Sequence, residues 1–315
     1  MISDDAVAEA IVAAHAQRFG AAAPGEPAAP PEAAGPSSGR EHDAVYRGAL
    51  RACAALGFIA ADAACLATAW SNRARRSGRF DALQWPDAPA DFGLKPFPPA
   101  SRPDAFARCP QNLGLYAVLP DTAWVARMAR AGVPTLQLRF KSDDAAAVDE
   151  EVAAAVRAVR GTPALLFIND HWRAAIDAGA YGVHLGQEDL AALPPDDLRR
   201  IRDAGLRLGL STHGYAEMVR ADAAGPSYVA MGAVFPTTLK RMPTAPQGVA
   251  RLAAYARLMR GYAQVAIGGI DAQRLDAVLA TGVGSVAVVR ALVAAEDPHA
   301  AAAWWLQAMA GHVAR

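Results

Sequence analysis

Cations, carboxylates and amides recur at short intervals between residues 137 and 290 of this 315-residue chain. Gln137, Arg139 and Lys141 stand two apart, and Asn169 adjoins Asp170. Gln187, Glu188 and Asp189 are consecutive, as are Ser211, Thr212 and His213. Thr237 and Thr238 precede Lys240, Gly268 precedes Gly269, and Arg290 closes the series. Arginine and lysine side chains suit phosphate oxygens. Asp170 and Asp189 are the carboxylates placed to hold a hard cation. Mg2+ prefers one or two carboxylates plus substrate phosphates over an all-protein cage. A Gly-Gly turn lets backbone N–H groups approach phosphate oxygens closely. Together these residues suit a diphosphate with Mg2+ and a second phosphorylated molecule.

Each residue also has an ordinary structural role. Asp170 is a candidate N-cap for a helix starting at His171, and Asp189 for the segment at Leu190. Gln137 and His184 fit as satisfied interior polar groups. His213 is assigned no proton-transfer role. His15, His42, His299 and His312 read as surface residues. These roles explain the residues singly, but not why so many polar groups end apolar runs.

Those apolar runs are the elements that must position the chemistry. Strand candidates lie at 115–119, 135–140, 164–168, 181–185, 206–211, 228–232, 264–267 and 285–289. Helix candidates lie at 124–130, 145–160, 173–178, 196–204, 216–224, 249–260, 272–280 and 300–310. Eight strands, each followed by a helix, predict an α/β fold, a (β/α)8 TIM barrel. A doubly wound open sheet is the competing layout, but no GxGxxG follows the first strand. In a barrel, ligands bind at the C-terminal strand ends, where the polar residues fall. Arg139 and Lys141, two apart on the second strand, would share a face and require an anionic partner.

Residues 1–40 read as a disordered arm and linker: a short helix over 1–19 with Ala6, Ala10, Ile11 and Ala14 on one face, then an Ala/Pro/Gly/Ser stretch. Residues 41–110 read as a small helical region with a Pro-rich connector, and 111–315 as the barrel. Val45, Ala49, Ala52 and Cys53 form one helical stripe, and Ala64, Leu66, Ala67 and Trp70 another, with a break at Gly57. Arg73, Arg75 and Arg76 read as a solvated helix end. Lys+Arg and Asp+Glu balance at 31 each, which argues against a nucleic-acid partner or an acidic membrane surface. The apolar run 54–70 is too short to span a bilayer. Cys53, Cys65 and Cys109 form no CxxC and read as reduced thiols. The expectation is a cytoplasmic protein with small-molecule phosphorylated partners, no nucleic acid and no membrane, with self-association left open.

The strings Leu136-Gln-Leu-Arg-Phe-Lys141, Ile168-Asn-Asp170 and Gly182-Val-His-Leu-Gly-Gln-Glu-Asp189 resemble thiamine-phosphate synthases. So do Leu210-Ser-Thr-His213, Met231-Gly-Ala-Val-Phe-Pro-Thr-Thr-Leu-Lys240 and Ala266-Ile-Gly-Gly-Ile270, in the same order over about 113–310. The resemblance implies a barrel transferase that condenses hydroxymethylpyrimidine diphosphate with a thiazole phosphate, releasing pyrophosphate. It implies Mg2+ on Asp170 and Asp189, and the diphosphate on Arg139, Lys141 and Lys240. Gln137, Asn169 and Ser211 would surround the pyrimidine. Thr237, Thr238, Leu239, Gly269, Val289 and Arg290 would surround the thiazole phosphate. Two positions depart from the family pattern. Leu239 stands where Thr-x-Thr-Lys has its second threonine, and Arg290 where Ser is common. The alternative is a non-catalytic or isomerase paralogue binding a thiazole phosphate, which has no need for the pyrimidine-diphosphate set. The stretch 43–76 faintly resembles the C-terminal helices of a ribokinase-like pyrimidine kinase. No GxGD loop precedes it, so a packing or dimer-contact role is expected rather than kinase activity.

Overall fold

Ser3 starts the first helix by accepting a hydrogen bond from the Ala6 amide at 3.3 Å. The computed structural model describes residues 2–20, 43–95, 102–237 and 245–313. The chain divides into two compact units, Met1–Pro96 with Gly214–Ala223, and Phe97–His213 with Ala224–Arg315.

The first unit contains α1 (Asp4–Phe19), α2 (Ala44–Ala55), α3 (Ala60–Ser77) and a 3-10 turn at Pro89–Phe92. Within α1, Val7, Ile11 and His15 are buried at a four-residue spacing. The buried face is therefore turned from the expected alanine stripe, because the larger side chains Val7 and His15 claim the interior. His15 is not a surface residue: its Nε2 pairs with the Ala82 carbonyl at 2.9 Å, and its ring meets Trp85 edge-on. Burial pushes its pKa down. Nor are residues 4–19 a passive arm. Gly48 of α2 lies so near α1 that a Cβ there would come within 2.5 Å of the Val7 Cβ.

The stripes of α2 and α3 are buried as expected at Val45, Ala49, Ala52, Cys53, Leu66, Ala67 and Trp70, whereas Ala64 is only half-buried and Ala63 takes its place in the interior. The arginines closing α3 are paired rather than merely solvated. Arg76 grips the buried Asp91 carboxylate with two bonds of 2.9 and 2.7 Å, Arg75 reaches Asp43 at 3.2 Å, and Arg73 bonds Gln84. The Gly214–Ala223 portion lies almost wholly in a helix beginning at Tyr215. Asp62 accepts its Ala216 amide at 2.9 Å, and the Tyr215 hydroxyl accepts Trp85 Nε1 at 2.9 Å.

In the second unit, eight parallel strands close into a barrel in sequence order. They are β1 (Leu115–Leu119), β2 (Thr135–Leu138), β3 (Leu165–Asn169), β4 (Gly182–Leu185), β5 (Arg207–Thr212), β6 (Tyr228–Met231), β7 (Ala263–Ile267) and β8 (Ser285–Val288). The helices between them are α4 (Thr122–Arg130), α5 (Ala145–Val159), α6 (Trp172–Ala178), α7 (Gln187–Ala192), α8 (Pro195–Asp203), α9 (Tyr215–Ala224, grouped with the first unit), α10 (Gly248–Leu258), α11 (Leu275–Leu279) and α12 (Arg290–Val293), with α13 (Pro298–Val313) closing the chain. The closed barrel replaces the open-sheet alternative. No described helix is long and apolar enough to cross a membrane.

Tyr116, Val118, Phe167, Tyr228, Ala230, Val265 and Ala287 pack in one buried cluster drawn from five strands. Large rings fit because glycines face them. A Cβ on Gly209 would lie 2.1 Å from the Tyr228 ring, and one on Gly182 2.6 Å from Phe167. Gly209→Ala must therefore displace the Tyr228 ring, and overpacking of this kind costs about 1–3 kcal/mol. Thermal unfolding should show a lowered Tm; an unchanged Tm would mean the ring does not occupy that space.

Candidate active site

Because the strands are parallel, their C-terminal ends share one face of the barrel. β2 ends at Leu138, short of the expected 140, so Arg139 and Lys141 lie in the loop beyond it. The same-face argument from strand alternation does not apply to them. Arg139 still donates its amide to the Leu119 carbonyl at 2.8 Å, which fixes where the loop leaves the barrel. The ladder ends because the chain turns toward α5, whose N-cap is Asp144.

Asn169 is the last residue of β3 and is buried. Asp170 follows with φ of 64°, the left-handed region that side chains other than Gly, Asn and Asp avoid. Asp170 is not the N-cap of α6; His171 occupies that position without a side-chain cap bond. The Asp170 amide donates to the His184 carbonyl at 3.0 Å, and His171 Nε2 meets the Phe140 carbonyl at 3.1 Å. These bonds aim the Asp170 carboxylate without consuming it. Burial pushes its pKa up, and the Asp189 charge pushes it further, against the opposing pull of His171, Lys141 and Arg139. Three other residues singled out in the sequence, Arg139, Lys141 and Asp189, thus lie near enough to act on Asp170. Asp189 also serves as a cap. It sits in the first turn of α7, a helix missing from the expected set, and its Oδ2 accepts the Gly186 amide at 2.9 Å.

Gln137 is buried on β2 and donates to the Tyr116 hydroxyl at 3.1 Å. Ser211, near the end of β5, holds His184 Nε2 at 2.9 Å, and its carbonyl accepts Gln187 Nε2 at 2.7 Å. Tyr116 and Tyr228 escaped the sequence reading. The signal was available, since a buried tyrosine needs a partner for its hydroxyl.

Gly268 and Gly269 follow β7 with φ of 102° and 66°. Added Cβ atoms there would lie 2.6 Å from Ala233 and 2.5 Å from the Pro236 carbonyl. Both glycines are therefore needed for the loop after β6 to cross them. Arg274, also overlooked, donates to the Gly269 carbonyl at 2.5 Å and lies over the Phe235 ring. Thr237 falls in that β6 loop, Val289 is the N-cap of α12, and the exposed Arg290 begins that helix. Thr238, Leu239 and Lys240 lie outside the described residues, as does His42. Burial pushes the Cys65 and Cys109 thiols up to about 11 and about 12, so neither is an activated nucleophile.

The family model described as thiamine monophosphate synthase matches residues 115–292, more than half the chain. The chain belongs to the thiamine monophosphate synthase family. A thiamine-phosphate synthase of Neisseria meningitidis serogroup B is 52% identical over 204 residues, covering 65% of this chain and 94% of that relative. One from Cronobacter sakazakii is 54% identical over 192 residues, covering 61% and 90%. Among solved structures, a thiamine phosphate pyrophosphorylase from Pyrococcus furiosus superposes with a TM-score of 0.54 at 28% identity, covering 64% of this chain and 98% of that one. The family match spans all eight strands, from the first residue of β1 through β8, so the thiamine monophosphate synthase likeness encloses every rim residue described above.

Proposed function

We propose that this chain condenses hydroxymethylpyrimidine diphosphate with a thiazole phosphate to give thiamine phosphate and pyrophosphate. The observation that carries the reading is Asp170, a half-buried carboxylate that feels the charges of Asp189, Lys141 and Arg139 at the end of β3 in a barrel of this family. The bond from the methylene carbon to the diphosphate oxygen breaks, and its electron pair leaves on the oxygen. The thiazole nitrogen lone pair then forms the new C–N bond. Donation from the pyrimidine amino group supports positive charge on that carbon, so no protein nucleophile is needed. Cations fixed before the reaction stabilise charge that grows only as the bond breaks.

The carboxylates fit Mg2+. Among the described residues no group of three or more His, Cys, Asp or Glu side chains is placed to cage a metal unaided. Nothing among those residues hydrogen-bonds to the Asp170 carboxylate, which lies half-buried beside a like charge. This is the donor set of an ion that completes its shell with phosphate oxygens and water. Asp170 and Asp189 would hold it, and when bound it would supply neutralising charge to the leaving diphosphate. Arg139, Lys141 and Lys240 contact the diphosphate in this reading, and Gln137, Asn169 and Ser211 the pyrimidine. Thr237, Thr238, Gly269, Val289 and Arg290 surround the thiazole phosphate, with Leu239 contributing no hydroxyl. We also place the protein in the cytoplasm, in keeping with three unpaired cysteines.

The test is to mix both phosphorylated halves with Mg2+ and measure pyrophosphate. Release that requires both halves supports the reading; binding of thiazole phosphate without turnover favours the non-catalytic paralogue. Arg139→Ala removes a charged hydrogen-bond donor, a loss of roughly 10–150-fold in affinity. KM for the pyrimidine diphosphate should rise accordingly, with KM for thiazole phosphate nearly unchanged. Equal rises in both would reject the division of the rim.

A further inference from the structure

A line of side-chain hydrogen bonds crosses the barrel interior and ends at Ser211. Gln137 Nε2 donates to the Tyr116 hydroxyl at 3.1 Å. The hydroxyls of Tyr116 and Tyr228 lie 2.7 Å apart. Tyr228 lies 2.7 Å from His184 Nδ1, and His184 Nε2 lies 2.9 Å from Ser211 Oγ. The five residues come from β2, β1, β6, β4 and β5, so the line is a product of barrel closure. Gln137, Tyr116, Tyr228 and His184 are all buried. Burial also pushes both phenol pKa values up, so each tyrosine keeps its one proton.

That proton count gives the line a direction. An amide nitrogen has only protons to offer, so the Tyr116 oxygen accepts from Gln137. A buried hydroxyl proton needs an acceptor, and the one beside Tyr116 is the Tyr228 oxygen. Tyr228 must then donate to His184 Nδ1. A neutral imidazole has one N–H, which is left on Nε2 and points to Ser211 Oγ. Ser211 accepts there, and its own proton finds no acceptor among the described residues.

We propose that this relay holds His184 as its Nε2–H tautomer and makes Ser211 a dedicated hydrogen-bond donor at the barrel mouth. It thereby selects a ligand that presents a lone pair at that point. On the reading of Ser211 as a pyrimidine contact, on which this inference rests, the acceptor is a ring nitrogen of the pyrimidine. The exocyclic amino group, which offers N–H, is the group it turns away. His184 and Tyr228 are positioning residues: they act on the substrate through Ser211. The opposite direction is a distinct state. With the Gln137 amide turned over, Ser211 would donate to His184 Nε2, His184 would carry its proton on Nδ1, and Ser211 could only accept from a ligand.

The two directions assign opposite tautomers to His184, and the full-length protein can be read without any substrate. Histidine is labelled with 15N, and long-range 1H–15N correlations are recorded at neutral pH. The His184 signals are identified by their loss in His184→Gln. A protonated Nε2 and a bare Nδ1 are expected; a protonated Nδ1 overturns the proposal. The second measurement is kinetic. Tyr228→Phe leaves Nδ1 without its donor and should relax the tautomer preference. It should raise KM for hydroxymethylpyrimidine diphosphate about tenfold, while KM for thiazole phosphate stays within about twofold. Deaza analogues, in which C–H replaces each ring nitrogen in turn, identify the acceptor. One of them should bind the wild type about tenfold more weakly than the parent, and Ser211→Ala should erase that difference. If Tyr228→Phe lowers only Tm, with the tautomer and both KM values intact, the relay is merely structural. If the wild type releases no pyrophosphate, the proposed reaction fails, and the tautomer still decides the relay.

Discussion

Asp170→Asn should cost about a hundredfold or more in kcat/KM for pyrophosphate release, while Tm stays level or rises. Removing one fixed group that stabilises developing charge typically costs ~10²–10³-fold. The substitution isolates charge from shape. Asn tolerates the left-handed backbone at position 170 nearly as well as Asp, whereas alanine would add strain. The stability side follows from proton linkage. The folded carboxyl sits above its ordinary 3.8, so the native state binds its proton more tightly than the unfolded chain does. Without ligand, stability therefore falls as pH rises from that ordinary value through the raised one. An uncharged Asn removes this penalty near neutrality. Asp189→Asn should show the same activity loss, because an amide oxygen still caps Gly186 but holds a cation poorly. It should also let the Asp170 pKa fall. Steady-state kinetics with varied Mg2+, paired with thermal melts, tests both variants. Near-normal turnover in both, with Mg2+ still required, would overturn the proposal that these two carboxylates hold the metal.

Deletion of residues 1–19 should unfold the first unit. Val7 and Ile11 have no exposed surface, and burying each contributes about 1.5–3 kcal/mol. That is a large share of the ~5–15 kcal/mol by which native domains are stable. The loss extends further, because His15 and Phe19 pack on Trp85 with ring centroids 4.9 and 4.5 Å apart. The Trp85 ring in turn bonds Tyr215. Near-UV circular dichroism should lose intensity, and a dye that binds exposed apolar surface should gain fluorescence. A truncated protein with native spectrum and unchanged Tm would restore the reading of this segment as a passive arm.

The barrel was legible because eight apolar runs alternate with helical patterns, and alternation with short connections leaves few topologies. Its edges were less so. Arg139 and Lys141 continue the β-like text of β2, but its pairing with β1 and β3 ends at Leu138, which no local pattern records. The helix α7 has six residues and no buried position, so it carries no apolar periodicity to detect. His15 looked like a surface residue because its neighbours are small. It is buried by Trp85, seventy positions away. The rim residues could be found because loops after strands collect polar groups. The relay could not, because Tyr116 and Tyr228 become neighbours only when the barrel closes.

The division of the first unit into two stretches of chain also has a timetable. Its α1, α2 and α3 leave the ribosome first, yet Tyr215, which stacks on Phe92 and receives the Trp85 N–H, is encoded more than a hundred residues later. At ~5–20 residues per second, that gap lasts on the order of ten seconds. During this interval the early helices must wait with aromatic surface uncovered, the condition in which nascent chains are held by chaperones or aggregate. Synthesis rate through the strands of the barrel, rather than any property of the helices themselves, then sets how long that exposure lasts.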